Sequence, residues 1–143
     1  MILPDEQQLL DALGGAVVAA DSAGRIVYMT GPCRALEGWA PDQALGQPLT
    51  ILMPERMRQR HRDGFAQYRE TGQSHLLGKT VRVPARRPGG DEVEVDLTVR
   101  MFRRPDGTDL VVASMALAAS KAERPANLVR LESELARRAY TLI

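Results

Sequence analysis

Two histidines, His61 and His75, and one cysteine, Cys33, carry most of the chemistry open to this 143-residue chain. Met57, His61, Phe65 and Tyr68 recur at spacings of four, four and three, so they share one face of a helix. A neutral imidazole between Met57 and Phe65 can ligate a metal from an apolar surrounding, or it can be a partly buried histidine bonded to a backbone carbonyl. His75 falls in a loop and reads as solvated. A single cysteine excludes an intrachain disulfide and a multi-cysteine metal site, and Cys33 reads as a small buried apolar thiol.

Two groups of charged residues bear on what the chain can bind. Arg56, Arg58, Arg60 and Arg62 are spaced by two on a helix, which spreads their charge over a wide arc instead of a stripe. With 19 basic and 18 acidic residues, a net charge of +1 and six aromatic residues, the chain lacks the basic excess and stacking platforms of a nucleic-acid binder. Glu92, Glu94 and Asp96 alternate with apolar positions and are expected on a wet sheet face or an interface rim. No Ser-His-Asp set, phosphate loop or metal-spaced histidine cluster is present, so no catalytic residue is assigned and the chain is not read as an enzyme. No run of about 18 apolar residues occurs, and the start lacks a basic segment before an apolar one. The expectation is a cytoplasmic protein without membrane insertion.

These residues need elements to position them. Pro4 to Leu13 reads as an amphipathic helix ended by Gly14-Gly15. Ala16 to Asp21 and Arg25 to Met29 form two strands around the Ser22-Ala23-Gly24 turn. Gly31 to Gly38 predicts one or two helical turns, Ala40 to Gly46 another short helix, and Pro48 to Met53 an apolar connector. Pro54 to Thr71 is the main helix, with Gly64 on its apolar side as a point of weakness and of close approach. Three strands follow: Leu76 to Ala85, Glu92 to Arg103 and Asp109 to Leu117. In the second, Val93, Val95, Leu97, Val99 and Met101 alternate with polar residues. The tail is helix-prone from Pro125, with Leu128, Leu131, Leu135 and Leu142 at roughly heptad spacing. It pairs with a second copy or folds back on the sheet. The fold class is α+β, an antiparallel sheet with helices packed on one face.

With these residues in this order, the chain resembles a PAS domain over about residues 5–117. The carriers are Gly24-Arg25-Ile26-Val27, Ala44-Leu45-Gly46-Gln47-Pro48-Leu49, Ile51-Leu52-Met53-Pro54-Glu55-Arg56 and Gly89-Gly90-Asp91-Glu92. Thr30 departs from the family pattern, which often has Asn at the end of the second strand. The resemblance implies a five-stranded antiparallel sheet, divided as a flanking helix over 1–15, the PAS domain over 16–117 and a signalling or linker helix over 118–143. Leu52-Met53-Pro54-Glu55, Tyr68, Thr71-Gly72 and Leu76-Leu77-Gly78 are most similar to the PAS sensor domains of FixL-type histidine kinases.

That likeness implies the input domain of a two-component sensor kinase or a similar regulator, sensing a small ligand, pairing as a homodimer and passing a signal to an output domain or partner. It also implies haem b as a candidate cofactor. His61 falls at the position of the axial iron ligand, and Met57, Phe65, Leu77, Val81, Val95, Leu97 and Val112 are the expected pocket walls. The FixL-type switch arginine is matched by Val81; Arg82 is adjacent and faces the other way. A distal pocket here is therefore expected to be apolar. A ligand-free dimerisation domain with a filled core is the third reading. Flavin is set aside, because Cys33 precedes the Leu45-Gly46 step and the position of the photoactive cysteine of LOV domains is Leu49. The tail has no histidine to serve as a phosphoacceptor.

Overall fold

Alternation along one strand explains the two-sided architecture. In the strand β4 (Glu92–Arg103), Val95, Leu97 and Val99 are buried, while Glu94, Asp96 and Thr98 on the other side are half-exposed. One face therefore meets a core and the other meets water. The computed structural model describes residues 2–71 and 78–118. In chain order they form α1 (Pro4–Ala12), β1 (Ala16–Ala20), β2 (Ile26–Met29), α2 (Pro32–Glu37), α3 (Pro41–Ala44), a 3-10 turn (Leu49–Leu52), α4 (Glu55–Thr71), β3 (Thr80–Arg86), β4, and β5 (Asp109–Leu117). The five strands make one antiparallel sheet in the order β2-β1-β5-β4-β3.

The inner face of the sheet carries the main core. Phe65 and Met57 from α4, with Met53 before it, pack on Val81, Val83, Val95, Leu97 and Val99. Towards β2 the same layer continues with Cys33 of α2, Trp39, Ala44 of α3 and Leu52 of the 3-10 turn against Val18 and Ile26. Among the described residues, the outer face is covered at one end. There α1 lays Leu10 on Val17, Ala19, Leu110 and Val112. Strand β1 is consequently buried at all five positions. It reads as an unbroken apolar run because both of its faces are covered.

Two polar ties hold α1 in place. Arg104, in the turn between β4 and β5, donates two hydrogen bonds to the Glu6 carboxylate at 2.8 and 2.9 Å. The Tyr28 hydroxyl donates to Asp11 at 2.7 Å. At the end of β2 the Thr30 hydroxyl accepts from the Val17 backbone N–H and donates to the Gly15 carbonyl, both at 2.9 Å. Thr30 thus closes the β1–β2 hairpin from a buried position.

Most expected elements are present among the described residues, with two differences. The third strand begins at Thr80, not Leu76, because Gly78 takes a positive φ of 79° and breaks the extended run. Residues 72–77 are outside the described ones, and with them His75, Leu76 and Leu77. The connector after Pro48 winds into a 3-10 turn. The tail helix expected after residue 118 also falls outside the described residues. Among those residues no helix is long and apolar enough to cross a membrane.

Candidate functional site

The inner face of the sheet and the helices over it line a cavity of about 70 Å³. All but two of its lining residues among the described ones are apolar. Val83 and Ala85 come from β3, Val95, Leu97 and Val99 from β4, and Val111, Ala113 and Met115 from β5. Val18, Leu49, Leu52 and Met53 close the remaining sides. The two titratable lining residues are His61 of α4 and Glu37 at the end of α2.

His61 is buried on the helix face its spacing predicted, with its ring centroid 5.7 Å from that of Phe65. Burial, followed by the Arg62 charge, lowers its pKa to about 4. The imidazole is therefore neutral near pH 7. His61 also borders a wider groove of about 400 Å³ with Gly24, Pro48, Leu49, Thr50, Arg62 and Phe65. His61 and Leu49 thus form the wall shared by the outer groove and the inner cavity.

Glu37 is the residue that sequence reasoning missed. It is 0% exposed, and neither carboxylate oxygen has a hydrogen-bond partner among the described residues. Burial raises its pKa to about 7. Its position is held from both sides. One turn earlier, Cys33 is buried, its thiol donating to the Val17 carbonyl at 3.4 Å. Two residues later, the Trp39 indole N–H donates to the Arg86 carbonyl at 2.7 Å, with the Arg86 guanidinium 5.9 Å from the ring. Gly38 between them adopts φ 83° and its N–H bonds the Arg34 carbonyl, ending the helix. The signal was the four-residue step from Cys33, which places Glu37 on the same buried face.

The expected pocket walls separate into groups. His61, Val95 and Leu97 line the cavity. Met57 and Val81 pack in the adjoining core, and Phe65 faces the outer groove. Leu77 lies outside the described residues. Val112 is corrected: it points to the opposite face of the sheet, under α1. The pairing of Val99 with Ala113 and Met101 with Val111 turns the odd-numbered residues of β5 inward. Arg82 also faces outward, where it pairs with Asp96 at 2.9 Å. Glu92, expected to be solvated, is held by Arg56 across 2.6 Å at an exposed position.

A haem on His61 is the first group to test against this geometry. A tetrapyrrole needs at least the roughly 300–1,000 Å³ of pockets for drug-sized ligands. The cavity holds about 70 Å³, and Met53, Met57, Phe65 and Val81 fill the layer around it. As packed, these residues do not fit a haem. Cys33 does not line the cavity, and burial pushes its thiol pKa up. That is the reverse of what a reactive thiolate needs.

Comparisons with known proteins agree with this architecture. A family model described as the PAS fold matches residues 5–115. An uncharacterized protein of Azorhizobium caulinodans is 34% identical over 96 residues, 66% of this chain and 13% of that protein. Sensor protein FixL of Bradyrhizobium diazoefficiens is 30% identical over 93 residues, 65% of this chain and 18% of that protein. The chain thus spans less than a fifth of the length of either relative. Among solved structures, the dark structure of the blue-light photoreceptor Aureochrome1 LOV superposes with a TM-score of 0.62 at 19% identity, covering 94% of this chain and 95% of that one. That likeness concerns the fold.

Proposed function

The chain belongs to the PAS family, and from that premise we propose that it is the cytoplasmic sensory module of a longer signalling protein, reporting a small ligand held in its inner cavity. The observation that carries this reading is the almost wholly apolar cavity between α2, α4 and the sheet, with one carboxylate and one neutral imidazole among the described residues of its wall. Such a site suits binding and reporting, and among the described residues no arrangement of nucleophile, base and orienting group stands around it. The kinship with Sensor protein FixL supports a place in signal transduction, ahead of an output domain or partner.

A ligand changes the output only through unequal affinity for two states of the module. Strand β5 is the natural carrier of such a change. Val111 and Ala113 line the cavity, while Leu110 and Val112 touch the layer under α1. A shift of β5 is therefore felt at once on both faces. Pairing with a second copy belongs to the same reading. Leu3, Leu9 and Leu13 of the α1 segment are left exposed, as is Phe102 beside Leu110 on the same sheet face.

The test is a fragment screen read by methyl NMR, with hemin as a separate arm. Small molecules are expected to perturb the methyl signals of Val95, Leu97 and Val111 and, through β5, that of Leu10. Hemin is expected to give no absorption band that depends on His61. A screen that leaves every cavity methyl unmoved would remove the small-ligand reading. A strong band lost in His61→Ala would replace it with a haem sensor.

A further inference from the structure

Glu37 has an unusual place for a carboxylate. It is completely buried, it lies in the wall of an apolar cavity, and none of the described residues donates to either oxygen. An ionised carboxylate accepts hydrogen bonds at two oxygens and donates none. Leaving such a group buried and unanswered is strongly unfavourable, so proteins ordinarily pair it, hydrate it or neutralise it.

The side chain has no simple way out. Cys33 fixes the preceding turn against β1, and Trp39 fixes the following residues against β3. The left-handed turn at Gly38 also leaves little slack, because a Cβ there would lie 3.3 Å from Pro88. The carboxylate is therefore held inside by the elements around it. Its desolvation is borne by the fold before any ligand arrives, which is how a preorganised recognition group works.

Resting on the small-ligand reading above, we infer that Glu37 is the recognition group of the cavity and that the ligand is a short aliphatic molecule with a primary-amine head. The apolar walls of Val95, Leu97, Val99 and Val111 take the chain. Glu37 receives the head through charge-assisted hydrogen bonds, the strong class of such bonds. Size sets the chain length. At roughly 10–15 Å³ for each water-sized site, a cavity of about 70 Å³ takes about five heavy atoms. A four-carbon amine has that size. Amine binding favours the ionised carboxylate and so opposes the upward shift that burial alone imposes on Glu37.

The experiment titrates the 143-residue chain with n-butylamine, n-butanol, sodium butyrate and xenon, reading cavity methyl shifts. Wild type, Glu37→Gln and Glu37→Leu are compared at one pH above 7, with thermal melts to verify folding. n-Butylamine is expected to bind wild type at least tenfold more tightly than n-butanol, and butyrate is expected to bind least. Glu37→Gln should lose that amine preference while xenon still enters. Glu37→Leu should lose the amine and keep xenon; if it fails to fold, the Gln variant decides alone. Xenon binding without an amine preference overturns the role of Glu37 and leaves a small-ligand cavity, with trapped water then answering the carboxylate. An amine preference that survives in Glu37→Gln also overturns it. No binding by any probe overturns both this inference and the reading it rests on.

Discussion

At Glu37 and His61 burial acts in opposite senses, and the two effects overlap in pH. For His61 the folded pKa of about 4 lies below the ordinary 6.5, so the unfolded chain takes up the proton first. Its effect is absent above about pH 6.5 and grows as the pH falls to about 4, destabilising the fold. For Glu37 the folded pKa of about 7 lies above the ordinary 4.5, so the unfolded chain loses the proton first. Its effect is absent below about pH 4.5 and grows as the pH rises to about 7, again destabilising the fold. Each shift corresponds to about 3 kcal/mol at full development. Between about pH 4.5 and 6.5 the two slopes oppose, and the wild type should show little net dependence from this pair. Glu37→Gln should unmask a stability that climbs with pH across that window, and His61→Phe one that declines. Urea denaturation at half-unit pH steps checks this; parallel profiles in all three proteins would exclude these pKa positions. The two residues differed in how far the sequence disclosed them. His61 was legible because a 17-residue helix gives its apolar face several repeats. Glu37 was not, because its helix has six residues and the carboxylate argues against burial until Cys33 and Trp39 are seen to pin it.

Among the elements, α1 depends most on its polar ties, the more buried of which joins Glu6 to Arg104. Its nine residues bury one leucine, Leu10, and expose Leu9, with Leu3 and Leu13 exposed at its two ends, so packing alone holds it weakly. The Glu6–Arg104 pair is 17% and 11% exposed, and its two hydrogen bonds join the helix to a turn 98 residues away. The Arg104 guanidinium holds the Glu6 carboxyl below its usual range. Arg104→Ala is expected to weaken the docking of α1 on the sheet by about 1–3 kcal/mol, leaving global unfolding unchanged. Amide exchange in α1 should rise while exchange in β3 and β4 stays unchanged. Equal acceleration across the sheet would show that α1 is integral to the global fold and not a separately docked element. Element boundaries followed the same logic of coverage. Strand β4 was legible to its ends because its outer face is wet and its apolar residues alternate. The facing of β5 was not, since Leu110, Val111 and Val112 are all buried and α1 removes the alternation that would have assigned Val112 to the outer side. Thr30, where the family often has Asn, bridges Gly15 and Val17 with its hydroxyl from the buried end of β2.

For the whole molecule, the question is how a change inside the cavity leaves it. Among the described residues, the outer face of the sheet has a covered and an uncovered half. Over β3 and β4 that face is occupied by polar pairs, Thr80 with Thr98 and Arg82 with Asp96. Over β1 and β5 it carries α1, whose far side presents Leu9 at 70% and Leu13 at 56% exposure, one helical turn apart. Apolar residues at that spacing form a stripe suited to the same stripe on a second copy, since a two-fold interface uses one patch twice. The pairing proposed above should therefore run through α1 and not through the polar half of the sheet. Sedimentation velocity over a hundredfold concentration range is expected to show wild type passing from monomer to dimer. Leu9→Glu combined with Leu13→Glu should stay monomeric over that range with an unchanged circular dichroism spectrum, because Leu10 and the layer beneath it are untouched. A double variant that still dimerises would move the interface off α1, and a wild type that stays monomeric would leave signalling to run through β5 and α1 within a single copy. If the cavity is coupled to pairing, n-butylamine should shift the dimerisation constant of wild type and leave that of Glu37→Gln unmoved. Linkage then requires the dimer and the monomer to differ in amine affinity by the same factor.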